Sequence, residues 1–237
     1  MTDHRRADQL PLALPFAAAM GRADFLESPS NAQALAALEA PALPGGLAVL
    51  VGPGGAGKTH LAHVWALRVG AAWQEAETLA ADLPDLLAPE APTRLVIDEA
   101  QGLAGGPGEE ALFHLVNHLR GRGELLLTAP CPARDWGLAL PDLLSRLSAA
   151  AHPALNAPDE VLLAGVLVKL FADRQVQVDP PLIAYLLARM ERSLAAARDL
   201  VDRLDRRALA LKRPITWRLA SEMFAEDLDK PDTGQAS

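Results

Sequence analysis

One octapeptide of this chain combines residue types and spacing that suit the binding of phosphate groups. It matches the pattern G-x-x-x-x-G-K-[ST] and consists of Gly52, Pro53, Gly54, Gly55, Ala56, Gly57, Lys58 and Thr59. Glycines let successive backbone N–H groups curl around phosphate oxygens, and the positive end of a following helix adds to the attraction. Lys58 can reach the β- and γ-phosphates, while the Thr59 hydroxyl can ligate Mg²⁺. The octapeptide, called the phosphate loop below, therefore predicts a site for ADP or ATP with Mg²⁺.

Three further residues, at the ends of two apolar runs, could serve the same site. Asp98 and Glu99 follow the run LVI. We expect Asp98 to hold the magnesium and Glu99 to orient or deprotonate an attacking water. Thr128 ends a later run and could sense a γ-phosphate, although without the other motifs a hydroxyl that caps a turn before Pro130 would be the preferred interpretation.

The elements that must position these residues follow from hydrophobic patterning. Continuous apolar runs predict buried strands, and 3.6-residue periodicity predicts helices between them. The strands are expected over 47–51, 93–98 and 124–129, and the helices over 31–39, 60–69 and 109–120. Strands that alternate with helices indicate a parallel sheet covered by helices, an α/β fold. The segment AAHPAL is expected to return as a further core strand.

From about Pro158 onward the pattern is helical throughout, in segments separated by prolines or short polar breaks. We therefore expect a second, smaller, all-helical unit, the lid. The predicted division is an N-terminal segment over 1–20, an α/β core over 21–157, a helical lid over 158–226 and a disordered tail over 227–237.

Composition excludes several classes of protein. The chain has 237 residues, one cysteine and a formal net charge of −8. A single cysteine, Cys131, cannot build a disulfide framework or a cysteine-ligated zinc site, and it suits a reducing cytoplasm. The sequence has no run of about 18 apolar residues, so we expect no membrane-spanning helix. Its N-terminus does not have the pattern of a signal peptide. The acidic balance argues against a protein that coats nucleic acid by bulk charge.

Taken together, these motifs resemble the AAA+ ATPase module, and in detail the DnaA/Hda family, over roughly residues 22–226. The segment GKTHL, which ends the phosphate loop, is typical of that family, and PSNAQALAAL resembles the family's helix before the nucleotide site. The resemblance implies that His60 belongs to the nucleotide-binding set. It implies that Arg146, in LLSRL, is an arginine finger that acts across a subunit interface. It also implies that Arg198, in ARDLVDRL, contacts the bound nucleotide.

Two features resemble the regulators of the Hda group within this family. One is the lead peptide QLPLAL, and the other is that only a few residues follow the lid, where the initiator has a DNA-binding domain. That resemblance implies two partners, the DNA polymerase sliding clamp (its β subunit) and DnaA, whose ATP hydrolysis such a regulator stimulates so that initiation does not repeat. The predicted clamp-binding residues are Gln9, Leu10, Leu12 and Leu14. Taken alone, the lead could equally be a proline-stiffened segment that packs on its own domain, and Ala13 stands where clamp peptides often have an aromatic residue.

The sequence also supports other functions and partners. The intact pair Asp98-Glu99 also suits a self-sufficient AAA+ ATPase, similar to DnaC-like helicase loaders. The lid has nine basic and four acidic residues between Arg189 and Arg218, so a DNA-binding patch competes with a simple solvated helix face, and we expect direct DNA binding to be weak or indirect. A homo-oligomer is a further expected partner, whereas a membrane is not.

Overall fold

A four-stranded parallel sheet forms the centre of the core in the computed structural model, which describes residues 21–229. The strands are β1 (Leu47–Val51), β2 (Ala72–Gln74), β3 (Arg94–Ile97) and β4 (Glu124–Ala129). Their order across the sheet is β1-β4-β3-β2, and every neighbouring pair is parallel. This confirms the predicted α/β fold with its parallel sheet. The short strand β2 was not predicted, because three residues are too few to form a recognisable apolar run.

Helices cover both faces of this sheet. They are α1 (Ala32–Glu39), α2 (Lys58–Val69), α3 (Leu79–Leu86), α4 (Pro107–Leu119) and α5 (Pro141–Ala149). Side chains alternate along each strand, so Leu125 and Leu127 pack in one hydrophobic cluster with α3, α4 and α5, while Leu126 packs in a second cluster with α1 and α2. The sheet is therefore buried on both sides, which is why its strands appear as continuous apolar runs.

The segment AAHPAL lies parallel to β1, but it pairs only through single bridges at Ala151 and Ala154. The Val49 N–H donates to the Ala151 carbonyl and the Val51 N–H to the Pro153 carbonyl. Pro153 has no N–H to return to the sheet, so the ladder is interrupted at that residue. The expected further core strand is thus reduced to two bridges.

The second half of the chain is helical and has its own apolar core. It contains α6 (Glu160–Asp173), α7 (Pro180–Leu187), α8 (Leu194–Leu211) and α9 (Trp217–Asp229). Leu167, Phe171, Leu186, Val201 and Leu219 lie at the centre of that core, and each has almost no exposed surface. Helix α9 runs to Asp229, three residues beyond the predicted end of the lid, and the rest of the predicted tail lies outside the described residues.

The predicted clamp-binding residues Gln9, Leu10, Leu12 and Leu14 also lie outside the described residues. Between Gly21 and Asp229, no helix is long and apolar enough to cross a membrane.

Candidate nucleotide-binding site

The phosphate loop connects the carboxyl end of β1 to the first residue of α2. The Gly52 N–H donates to the Ala129 carbonyl at 3.3 Å, which joins the start of the loop to the end of β4. Gly55 and Gly57 adopt φ angles of +71° and +96°, a region that L side chains enter only at a cost. These two glycines let the loop turn back towards α2, whose first N–H groups consequently face the space inside the loop.

Lys58 lies folded over the loop. Its Nζ donates to the carbonyls of Gly52 and Pro53, at 2.8 and 3.0 Å. Burial lowers the pKa of Lys58 from its ordinary value, and the nearby carboxylates of Asp98 and Glu99 oppose that shift. The ammonium group is therefore held at the loop, where a phosphate oxygen could replace a carbonyl as its partner.

Asp98 lies between two threonines at the carboxyl edge of the sheet. The Thr59 hydroxyl donates to Asp98 Oδ2 at 2.8 Å, and the hydroxyl of the fully buried Thr128 donates to Asp98 Oδ1. Thr128 also accepts a hydrogen bond from the Glu99 N–H at 3.1 Å. The structure thus brings together Thr59, Asp98, Glu99 and Thr128, four of the predicted site residues, from three separate chain segments.

Glu99 has an unusual backbone conformation beside this network. Its φ of +51° and ψ of +41° lie in the left-handed region, which is rare for a residue with a side chain. Its side chain is exposed, whereas Asp98 beside it is partly buried. The turn therefore separates the two carboxylates, with one held by hydrogen bonds and the other free to meet solvent.

Arg198 and His60 share the cleft where the lid meets the core. They line a cavity of about 110 Å³ together with Asp24 and Lys169. Arg198 is partly buried, and it has no hydrogen bond or ion pair with any residue that the structure describes. Burial lowers its pKa from the ordinary value. A desolvated guanidinium without a partner favours an anionic ligand.

His60 is buried in the same cleft. Burial, and next the positive charge of Arg198, lower the pKa of His60 to about 4, so its ring is neutral at pH 7. Its Nε2 is buried without a hydrogen-bond partner among the described residues, and the ring meets Phe25 edge-on at 5.4 Å. The position beside Arg198 is consistent with the expected role near a nucleotide.

Helix α8 of the lid touches the phosphate loop directly, which was not predicted. The Leu194 N–H donates to the Gly55 carbonyl at 3.0 Å. A Cβ placed on Gly55 would lie 2.5 Å from the Cβ of Ser193, so the lid reaches the loop at van der Waals distance. The sequence indicates only that a serine could cap a long helix here, and a capping residue does not indicate which distant loop the helix will contact.

Comparison with known proteins agrees with this geometry. No protein-family model matches the chain. Domain III of the DnaA replication initiation protein from Thermotoga maritima superposes with a TM-score of 0.77 at 18% identity, covering 92% of this chain and 100% of that domain. AMPPCP-bound DnaA from Aquifex aeolicus gives 0.68 at 16% identity, covering 87% of this chain and 69% of that one. A RuvB variant from Thermotoga maritima gives 0.70 at 20%, covering 92% and 75%. The fold is therefore the one that DnaA domain III and RuvB share, with a parallel sheet between helices and a helical second part.

In this fold, Arg146 lies away from the chain's own phosphate loop. It belongs to α5 and lines a cavity of about 530 Å³ together with Leu47 and Leu125, the residues near the amino ends of β1 and β4. The loop follows the carboxyl end of β1, so Arg146 is at the opposite edge of the sheet. Its guanidinium lies 5.8 Å from the centre of the Phe113 ring. No ion pair joins it to Asp142, or to any other acid between residues 21 and 229.

The residues of the site fit a nucleotide with Mg²⁺. The loop carries no side chain at Gly54 or Gly55, its lysine is held in place, and the Thr59 hydroxyl and an Asp98 oxygen are 2.8 Å apart. A hydroxyl and a carboxylate are hard oxygen donors of the kind that Mg²⁺ takes when phosphates complete its coordination. Among the described residues, no cluster of three His, Cys, Asp or Glu could hold a metal by itself.

Proposed function

We propose that this chain binds ADP or ATP with Mg²⁺ at the phosphate loop and acts as a regulator of chromosome replication initiation. In this proposal it is an adaptor that binds the sliding clamp and stimulates ATP hydrolysis by DnaA, which prevents re-initiation. The coarser part, a replication-related AAA+ ATPase, is supported by the DnaA-like fold and the intact phosphate loop. The observation that carries the finer part is the position of Arg146.

Nucleotide binding would use groups that are already in place. The N–H groups of the loop and of the first turn of α2 would hold the β-phosphate, and Lys58 would exchange its loop carbonyls for phosphate oxygens. Thr59 and Asp98 would hold Mg²⁺, which when bound neutralises charge on the β- and γ-phosphates. Arg198 would reach the nucleotide from the lid, and His60 would pack beside it as a neutral ring.

Arg146 would act on a nucleotide bound by another subunit. A guanidinium keeps its charge at all physiological pH values, and its planar group matches the oxygens of a phosphoryl group. At the sheet edge opposite its own site, it can complement the charge that develops on the γ-phosphate of a neighbouring DnaA. An arginine finger accelerates such a transfer by about 10³–10⁵-fold, so this one residue could supply the regulatory output.

The clamp interaction rests on the lead peptide. The three leucines Leu10, Leu12 and Leu14 alternate as an extended peptide needs in order to place every second side chain in an apolar groove, and the Gln9 amide would form a hydrogen bond at its edge. Replacing Gln9, Leu10 and Leu12 with alanine should remove clamp binding and leave nucleotide affinity unchanged. A clamp pull-down that survives the triple substitution would exclude this role.

Nucleotide binding can be tested separately by calorimetry. Lys58→Ala should abolish measurable ADP and ATP binding, because no other described residue places a positive charge inside the loop. Arg206→Ala removes an exposed lid cation and serves as the control, with affinity equal to wild type. Unchanged affinity in Lys58→Ala would refute the site.

The decisive experiment measures ATP hydrolysis by DnaA in the presence of clamp loaded on DNA. Wild-type protein should accelerate it, and Arg146→Ala should lose the acceleration while still folding and binding both nucleotide and clamp. Arg146→Lys keeps the charge but not the planar fork, and it should restore little. Full stimulation by Arg146→Ala would exclude the adaptor mechanism.

A second candidate is favoured by the Asp98 network. Asp98 is held by two threonines and Glu99 is exposed beside it, which is what a chain needs to hydrolyse its own ATP. Such a protein would be a self-sufficient remodeller, like a DnaC-like helicase loader, with Arg146 acting across a homo-oligomer interface. If Arg146→Ala abolishes only an ATPase activity of this chain alone, this second function is the better description.

A further inference from the structure

An apolar groove lies between α1 and α2 on the outer surface of the core. Its cavity has a volume of about 380 Å³ and is lined by Leu35, Leu38, Leu61, Val64, Trp65 and Leu67. Most of these side chains are buried beneath the groove, but Leu67 is 69% exposed on its rim. Leu67 therefore extends the apolar surface of this cavity out to the solvent, where another segment can cover it.

The polar groups around this groove are already satisfied. Arg22 pairs with Glu39 at 2.5 Å, and Arg68 donates to the carbonyls of Leu38 and Ala40 at 2.5 and 3.0 Å. Both guanidinium groups beside the groove are thus already engaged, Arg22 by an acid and Arg68 by backbone carbonyls. An uncharged, apolar occupant fits the groove best.

The described part of the chain begins beside this groove, since its first two residues, Gly21 and Arg22, are among those that line the cavity. Residues 8–20 carry one charged side chain, Asp8, and residues 10–16 read LPLALPF. Every second residue there, from Leu10 to Phe16, is a large apolar one, and alternate side chains of an extended chain share one side. The preceding segment thus has the composition and the alternation that the groove needs.

The length of the connection also allows it. Phe16 is five positions before Gly21 and Leu14 is seven positions before it, and the chain spans up to about 17 and 24 Å over these distances when extended. Leu61 and Leu67, at the two ends of the α2 wall, are about 9 Å apart along the helix. A short tether of this kind raises the effective concentration of the segment at the groove to the millimolar range.

We propose that residues 10–16 dock into the α1–α2 groove of their own chain. On the proposed function, Leu10, Leu12 and Leu14 are also the residues that enter the clamp, so the two engagements exclude each other. Docking then lowers the apparent clamp affinity in proportion to the fraction of chains that is docked. The groove is a competitor for the clamp within the same molecule.

Disulfide trapping in the full-length chain tests the docking without any partner. In a Cys131→Ser background, Ala13→Cys is paired with Leu67→Cys and oxidised mildly with glutathione. An intramolecular disulfide should form at least ten-fold faster than in the same chain with Leu10, Leu12 and Leu14 replaced by serine, since the tether alone is equal in both. Equal rates, or disulfide-linked dimers as the main product, would overturn the proposal, the latter in favour of a second copy.

Clamp affinity tests the competition. Leu67→Glu places a charge at the groove and should tighten clamp binding about three-fold or more, whereas Leu209→Glu, at a lid residue that is 70% exposed, should change nothing. Equal affinities would overturn the competition between groove and clamp. If no variant binds the clamp, the proposed function fails, and the trapping experiment still decides whether the segment docks.

Discussion

At the scale of single residues, Gly55 is where the backbone of the phosphate loop and the lid constrain each other. Its left-handed φ lets the loop turn, and its missing side chain leaves room for Ser193. Gly54, the preceding residue, has open space around it and no such φ. Two adjacent glycines of one motif therefore have different physical roles.

Substitution by alanine should separate these two roles. Gly55→Ala forces a Cβ into Ser193 and a side chain into the left-handed region, so we expect it to lower the free energy of unfolding by about 2 kcal/mol or more. Gly54→Ala should change it by no more than about 0.5 kcal/mol. Urea unfolding of the two variants measures the difference, and equal stabilities would show that the lid does not rest on the loop.

His60 makes a second prediction at this scale, which concerns pH. Its folded pKa of about 4 lies below the ordinary value of 6.5, so the unfolded state takes up a proton first as the pH falls. Stability should therefore decrease from about pH 6.5 down to pH 4, by about 3 kcal/mol in total from this residue. His60→Leu should flatten the pH dependence of the unfolding free energy in that window. Parallel curves for the two proteins would contradict the buried, neutral histidine.

At the scale of elements, the first lid helix begins with a true side-chain cap. Asp159 Oδ1 accepts a hydrogen bond from the Leu162 N–H at 2.7 Å, and this bond is the main cause of the lowered pKa of Asp159. Asp179 occupies the equivalent position before α7, but its side chain makes no such bond. The same residue type thus caps one helix and only precedes the other.

Alanine at these two positions should show what the cap contributes. Asp159→Ala should lower the free energy of unfolding by about 1 kcal/mol, because a backbone N–H of α6 loses its partner. Asp179→Ala should cost no more than a few tenths of that. Chemical denaturation at pH 7 compares them, and a larger loss in Asp179→Ala would mean that the cap geometry does not determine the stability of these helices.

At the scale of the whole molecule, acidic residues from other helices offset the basic charge of the lid. Three acids of α9, Glu222, Glu226 and Asp227, form ion pairs with arginines of α8 and of the turn that follows it. These partners are distant in sequence from most of the arginines they meet. Of the nine basic residues that the sequence left open as a DNA surface, five therefore have an acidic partner: Arg192, Arg203, Arg207, Arg213 and Arg218.

Direct DNA binding should accordingly be weak. Phosphate contacts need unpaired cations, and the net charge of −8 repels the duplex as a whole. Fluorescence anisotropy with a 20-base-pair duplex at 0.15 M salt should not reach half-saturation below about 10 µM protein, which is the weak part of the 10⁻⁴–10⁻⁶ M range of non-specific complexes. Tight binding with a steep salt dependence would show that the ion pairs open to release the arginines.

The sequence alone determined the features that depend on neighbouring residues. The phosphate loop, its strand and its helix form one continuous segment, so spacing was enough to predict them. Asp98, Glu99 and Thr128 could also be predicted, because the ends of parallel strands meet at one edge of a sheet. The fold class followed from the alternation of runs and helices, since that alternation determines how the layers are covered.

Tertiary structure decided which distant groups meet. Local spacing does not indicate that Ser193 packs on Gly55, that Arg198 shares a cleft with a neutral His60, or that acids of α9 form ion pairs with arginines of α8. It also does not place Arg146 at the edge of the sheet opposite its own loop. These relations depend on how two separately packed cores are oriented against each other. Burial between those cores, rather than sequence order, lowers the pKa of His60 and leaves the guanidinium of Arg198 without a partner among the described residues.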